Sequence, residues 1–201
     1  MVPTLWIVVL IKDFTTAKSR LSPAMLPEER RALAEMTATR ALDAALVVSQ
    51  TLAVCGSEEA ARLARSRGAE VIVEPSPGGQ NPAARRGLDD VVRRGAEAAL
   101  LLSSDLPLVD AAGLRRLLAD TDADGPLVVA APAVGRQGTN ALYLRPPDDF
   151  ELHFGAASLP HFAAEAQRRG RTFVIHNDPS LALDLDEPSD VSAWRVLEPT
   201  A

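Results

Sequence analysis

One carboxylate, Asp105, stands directly after the unbroken apolar run 98–102, two small hydroxyl residues apart from it, and Pro107 follows. Proline cannot continue a central ladder, so a strand over these residues must stop near Asp105. An acid at the carboxyl end of a buried parallel strand lies where open α/β sheets bind ligands. There it can hold a divalent cation that clamps phosphates. The same acid can also be an ordinary turn residue, bonded to its own backbone.

A second group is cationic. Lys12, Lys18 and Arg20 fall within nine residues, just after the apolar run 5–11, with Thr15, Thr16 and Ser19 between them. A loop of cations, hydroxyls and backbone amides suits phosphate oxygens, although it reads equally as a solvated basic turn. It contains no glycine, so it is neither a Walker loop nor a dinucleotide fingerprint.

Three further stretches carry candidate chemistry. Gly78 and Gly79 allow a flat ligand close to the backbone, and Gln80 and Asn81 offer donors and acceptors for a base edge. Ser158, followed by Pro160, reads as a helix start whose amides could meet an anion. Asp184 and Asp186 alternate along 181–190, which predicts a short last strand leading into a helix, with Pro188 and Asp190 as helix-start residues. Alternate strand residues share a face, so the two carboxylates could complete a cation site with Asp105. His161, in the first turn after Ser158, is given no catalytic role.

These residues need a scaffold, and the pattern supplies one. Apolar strands are read at 5–11, 50–55, 70–74, 98–103, 126–132 and 171–176, with a further apolar stretch around 139–144 able to pair back into the sheet. Helical patterns intervene at 27–48, 57–68, 82–94 and 111–119 and follow at 160–169. The order β-α-β-α-β predicts a mostly parallel, doubly wound, Rossmann-like sheet. Residues 145–160 read as a loop-rich insertion, and residues 1–201 as one domain.

With 21 basic and 27 acidic residues, the net charge of −6 argues against a nucleic-acid partner. No apolar stretch reaches the length of a membrane span, and residues 5–11 do not read as a secretory signal, so a cytoplasmic protein is expected. A single cysteine, Cys55, excludes an intrachain disulfide and a multi-cysteine zinc site, and reads as a small buried hydrophobe. A homodimer is left open.

Taken together, the segments 12–21, 102–107, 138–142, 154–158 and 183–190 resemble, in that order, the guanylyltransferases of coenzyme F(420) biosynthesis, which act on 2-phospho-L-lactate or phosphoenolpyruvate. The resemblance implies a three-layer, GT-A-like nucleotidyltransferase fold. It implies GMP transfer from GTP to a small phosphorylated three-carbon acid, with Mg²⁺ as cofactor and diphosphate released. By matching position, Asp105 and one of Asp184 and Asp186 would hold Mg²⁺, and Thr139, Gly155 and Ser158 would bind the acid. Lys12, Lys18, Ser19 and Arg20 would hold the GTP phosphates, with Lys12, Lys18, Arg20 and Asp105 carrying the catalysis. Gly79, Gln80 and Asn81 would lie near the guanine. The alternatives are a molybdenum-cofactor guanylyl- or cytidylyltransferase, and a catalytically silent nucleotide-binding module.

Overall fold

The structure is a computed structural model and describes residues 3–76 and 78–197. Apolar residues alternate along its central strands, and the alternation divides the core in two. In β1 (Leu5–Ile11), Ile7, Val9 and Ile11 pack in one hydrophobic cluster, and Trp6, Val8 and Leu10 pack in the other. The same split holds for β4 (Ala98–Ser103), with Leu100 and Leu102 on one side and Leu101 on the other. A strand buried on both faces must be covered by helices on both. Here α1 (Pro27–Val48), α2 (Glu58–Arg67) and α4 (Ala111–Ala119) cover the first face, and α3 (Gln80–Arg93) and α5 (Ser158–Arg168) the second.

Among the described residues the sheet has seven strands, the others being β2 (Gln50–Cys55), β3 (Glu70–Val73), β5 (Leu127–Pro132), β6 (Thr139–Arg145) and β7 (Thr172–Ile175). Their order is β3-β2-β1-β4-β6-β5-β7. β6 runs antiparallel to both β4 and β5, while the pairs β1–β2, β1–β4, β2–β3 and β5–β7 are parallel. The predicted mostly parallel α/β architecture is therefore present, with one reversed strand in its middle.

Local signals explain the helix ends. Pro27 opens α1, and the Glu29 carboxylate accepts the Leu26 N–H at 2.7 Å. Ser57 caps α2 through the Ala60 N–H, and Gly68, at φ 98°, ends it. In α3, a Cβ on Gly87 would come within 2.5 Å of Val8 Cγ1, so glycine lets this helix lie close against β1. No helix among the described residues is long and apolar enough to cross a membrane.

One predicted element differs. Residues 181–190 do not form a strand. They contain the end of α6 (Pro179–Ala182), an irregular stretch, and the start of α7 (Pro188–Leu197). The hydrogen bonds show why. Asp178 caps α6 by accepting the Ser180 N–H at 2.9 Å, and Asp190 turns back to accept the amides of Asp186 and Glu187. Among the described residues two backbone bonds still reach across: Leu185 donates its N–H to the Asp105 carbonyl at 3.1 Å, and the Ala182 carbonyl accepts the Val134 N–H at 2.9 Å. Leu185 is fully buried in a small satellite core with Leu21, Leu33 and Val191.

Candidate functional site

The carboxyl ends of β4, β1, β2 and β3 lie in that order along one sheet edge, and the candidate residues gather on it. β1 delivers the chain into the loop of cations. Asp13 folds that loop: its carboxylate accepts the Thr15 amide and hydroxyl, both at 3.0 Å, and its carbonyl accepts the Thr16 and Ala17 amides. This turn brings Lys18, itself in the left-handed region at φ 58°, back over the sheet edge. Lys18 Nζ lies 3.5 Å from Asp105 Oδ2, and its side chain is 4% exposed. Among the described residues that ammonium makes no hydrogen bond, so its donors are free to meet an anion.

Asp105 sits two residues past the end of β4, where its Oδ1 accepts the Ser103 hydroxyl at 2.7 Å. Burial penalises its charge, but Lys18, the Ser103 hydroxyl and Lys12 outweigh that penalty and hold the carboxyl below the usual carboxylate range. Oxygens of Asp105, Asp184 and Asp186 lie within 4.8 Å of one another. The alternation expected of a strand survives without one. Leu185 plugs the satellite core, so its two neighbours both turn toward Asp105. Burial, then the nearby Asp105, push the Asp184 carboxyl up to about 6. Three hard oxygen donors that repel one another suit a small divalent cation such as Mg²⁺.

Arg136, which the sequence reading missed, answers this negative charge. Its Nη1 lies 2.9 Å from Asp184 and 4.0 Å from Asp186, and its Nη2 bonds Asp190. Arg20, largely exposed, pairs with Asp186 at 3.4 Å. Nothing in the local sequence around Arg136 marks it, because its partners lie about fifty residues later.

Two cavities meet at these acids. The first lies over the parallel half of the sheet and includes Asp13, Gly56, Glu74, Gly79 and Lys18 in its wall. The second lies over the reversed strand and includes Arg136, Thr139, Gly155 and Asp184. Lys12, Gln80, Ser103, Asp105 and Asp186 line both. Ser19 is exposed and belongs to the short 3-10 turn that ends the loop.

Several expected contacts take a different form. Asn81 does not present its amide to a ligand: its Oδ1 accepts the Phe154 N–H at 2.6 Å and its Nδ2 donates to the Phe154 carbonyl at 3.1 Å. Gln80 and Asn81 also lie inside the first turn of α3 rather than in the preceding loop. Ser158 is fully buried and donates its hydroxyl to Thr139 Oγ1 at 3.0 Å. The start of α5 offers fewer amides than expected, because Ser158 N–H bonds Gly155 and Leu159 N–H bonds Gln137, while Pro160 has none. What remains beside the second cavity is the Gly155–Ala157 turn, with Gly155 at φ 129° and Ala157 at φ 56°. His161 is exposed next to His153, their rings 5.5 Å apart, and lines neither cavity. Asn140 was also missed. Its Nδ2 donates to the carbonyls of Leu181 and Ala182, tying α6 and the acid segment to β6. Cys55 is buried, and burial pushes its thiol up to about 12, as a structural cysteine requires.

The chain is similar to known proteins along almost its whole length. It is 37% identical over 193 residues to a phosphoenolpyruvate guanylyltransferase of Sphaerobacter thermophilus, covering 92% of this chain and 89% of the relative. It is equally identical, over 194 residues, to a 3-phospho-D-glycerate guanylyltransferase of Phenylobacterium zucineum, covering 91% and 86%. Its fold matches the crystal structure of a putative nucleotide-diphospho-sugar transferase from Desulfovibrio desulfuricans, with a TM-score of 0.80 at 13% identity, over 100% of this chain and 90% of that one. The family model described as guanylyl transferase CofC like matches residues 5–195, and the chain belongs to that family.

Proposed function

We propose that this protein transfers GMP from GTP to a phosphorylated three-carbon acid, with phosphoenolpyruvate as the acceptor, in coenzyme F(420) biosynthesis. One observation carries the reading: Asp105 and Asp186 stand in the wall between two cavities, beside a buried lysine with no hydrogen-bond partner. A nucleotide in the first cavity and an acid phosphate in the second would meet there.

The reaction would need no general base, because the attacking phosphate is already an anion. One of its oxygens forms a bond to the α-phosphorus of GTP. The bond from that phosphorus to the bridging oxygen breaks, and diphosphate leaves with the electron pair. The barrier is the approach and alignment of two polyanions. Lys18 and Lys12 would hold the nucleotide phosphates, and Thr139 with the Gly155 turn would seat the acid. Asp105, Asp184 and Asp186 would hold Mg²⁺, which neutralises phosphate charge and polarises the reacting phosphorus. The low-lying carboxyl of Asp105 stays ionised and ready for it.

The test is release of diphosphate from GTP and Mg²⁺ with phosphoenolpyruvate, 2-phospho-L-lactate or 3-phosphoglycerate offered one at a time. Turnover with phosphoenolpyruvate alone, or fastest, is expected. No turnover with any of the three overturns the reading.

A further inference from the structure

The wall of the first cavity contains four acids, and three of them already have work. Asp105 and Asp186 belong to the acid cluster, and Asp13 spends its carboxylate on the Thr15 amide and hydroxyl. The fourth, Glu74, has neither a hydrogen bond nor an ion pair at its side chain among the described residues. It is half-buried at the carboxyl end of β3, and its backbone N–H is fixed to the Cys55 carbonyl at 2.9 Å.

Its place across the sheet is informative. From β4 to β3 the strand order passes through β1 and β2, so three strand spacings separate the Asp105 edge from the Glu74 edge. At roughly 4.8 Å per strand that is about 14 Å, a span that a nucleoside phosphate bridges from phosphate to base. Gly56 lines the cavity between the two ends, and a Cβ on it would come within 2.9 Å of the Asp13 nitrogen, so glycine lets the end of β2 pass close to the loop after β1. The remaining wall mixes small side chains, Ala34, Thr37 and Ala83, with the apolar Leu10, Phe14 and Val54, a lining that a flat ring can pack against.

We propose that Glu74 reads the base, its carboxylate accepting hydrogen bonds from the ring N–H and the exocyclic amine of guanine. An ionised carboxylate only accepts, and guanine presents two adjacent donors on that edge. Adenine presents an acceptor at the corresponding ring nitrogen and is repelled. Hypoxanthine keeps the ring N–H and lacks the amine. Glu74 thus takes up a role that the sequence had assigned to Gln80 and Asn81, of which Asn81 has its amide taken by Phe154. The inference rests on the reading of GTP as donor.

The experiment compares GTP, ITP and ATP as donors for the wild-type protein, Glu74→Gln and Glu74→Ala, with Mg²⁺ and phosphoenolpyruvate. Charge-assisted hydrogen bonds of this kind set a preference of about 10- to 100-fold, so wild type should favour GTP over ITP by that factor in kcat/KM. In both variants the ratio should fall to about threefold or less, through the KM for GTP, with the KM for the acid unchanged. Thermal melting reads whether the variants are folded. A folded variant that keeps the wild-type GTP-over-ITP ratio overturns the proposal, and so does a wild type with no such preference. Direct titration of the three proteins with GTP and ITP, without acceptor, reads the same ratio as dissociation constants. A protein that transfers nothing but still discriminates the two nucleotides through Glu74 therefore separates failure of the transfer reading from failure of this one.

Discussion

The two halves of the site are built in opposite ways. The proposed nucleotide half stands on parallel strands whose backbones end in register, so its groups are set by strand position: Asp105 after β4, Lys12 after β1, Glu74 after β3. The proposed acceptor half stands beside a reversed strand and is assembled from loops. There Arg136, Asn140, Asp184 and Asp190 are held by hydrogen bonds between segments about forty to fifty residues apart. A regular sheet edge places groups cheaply and repeatably. A loop-built wall must be fastened side chain by side chain, and each fastening is a point at which specificity can change.

The comparison can be broken at the acids that the two halves share. Asp105→Asn keeps the shape of the side chain and removes its charge. Turnover should fall by about 10³-fold or more, the scale expected when a ligand for the phosphate-clamping cation is lost. The melting temperature should change little, because the ion pair lost with Lys18 is offset by relief of the repulsion from Asp184 and Asp186. The measurement is kcat by diphosphate release beside a thermal melt. Near-normal turnover would remove Asp105 from the chemistry.

A smaller change tests whether the halves are separable. Arg136→Gln takes a cation from the acceptor wall and leaves the nucleotide wall untouched. The KM for the acid should rise about tenfold while the KM for GTP stays within about twofold. Titration with Mn²⁺ should show tighter binding than in wild type, because a competing positive charge has left Asp184 and Asp186. Equal rises in both KM values would show that the two halves act as one.

The smallest expected effect concerns the fastening itself. Asp178 accepts both nitrogens of the Arg116 fork, at 2.6 and 3.1 Å, and caps α6, from which the acid segment departs. The Arg116 hydrogen bond leads the interactions that depress its pKa strongly. A depressed carboxyl stabilises the fold above its unfolded pKa and loses that contribution as pH falls below it. The wild-type melting temperature should therefore drop as pH falls below about 4, the unfolded carboxylate value. Asp178→Asn should cost about 2 kcal/mol near neutral pH and flatten that acid limb. An unaltered limb in the variant would assign the acid sensitivity to other carboxylates.

Much of this was legible in the sequence because it depended on near neighbours. The apolar runs marked strands, Ser57 and Gly68 marked the ends of α2, and Pro107 marked where β4 had to stop. The lysines and Asp105 followed from those strand ends. What escaped depended on distant partners. The stretch 181–190 has strand-like alternation, and Pro188 with Asp190 marked the helix start that α7 makes, but Asp178 caps α6 just before it and Asp190 takes the amides of Asp186 and Glu187. Ser158 looked like an open anion seat until Gly155 and Gln137 took the amides, and Asn81 looked free until Phe154 took both ends of its side chain. Arg136 sits in a glycine loop whose local sequence names none of its partners.

The satellite core of Leu21, Leu33, Leu185 and Val191 has a consequence for the order of synthesis. Chains fold as they emerge, from the first residues onward. The strands that carry the lysines and Asp105 can assemble early, but Leu185 follows Asp105 by 80 residues and Val191 comes later still. Until they dock, Asp184 and Asp186 have no seat beside Asp105. A nascent chain thus carries the Lys18–Asp105 edge before its full set of acids, and the three-carboxylate cluster is complete only once the segment that holds Leu185 and Val191 has docked.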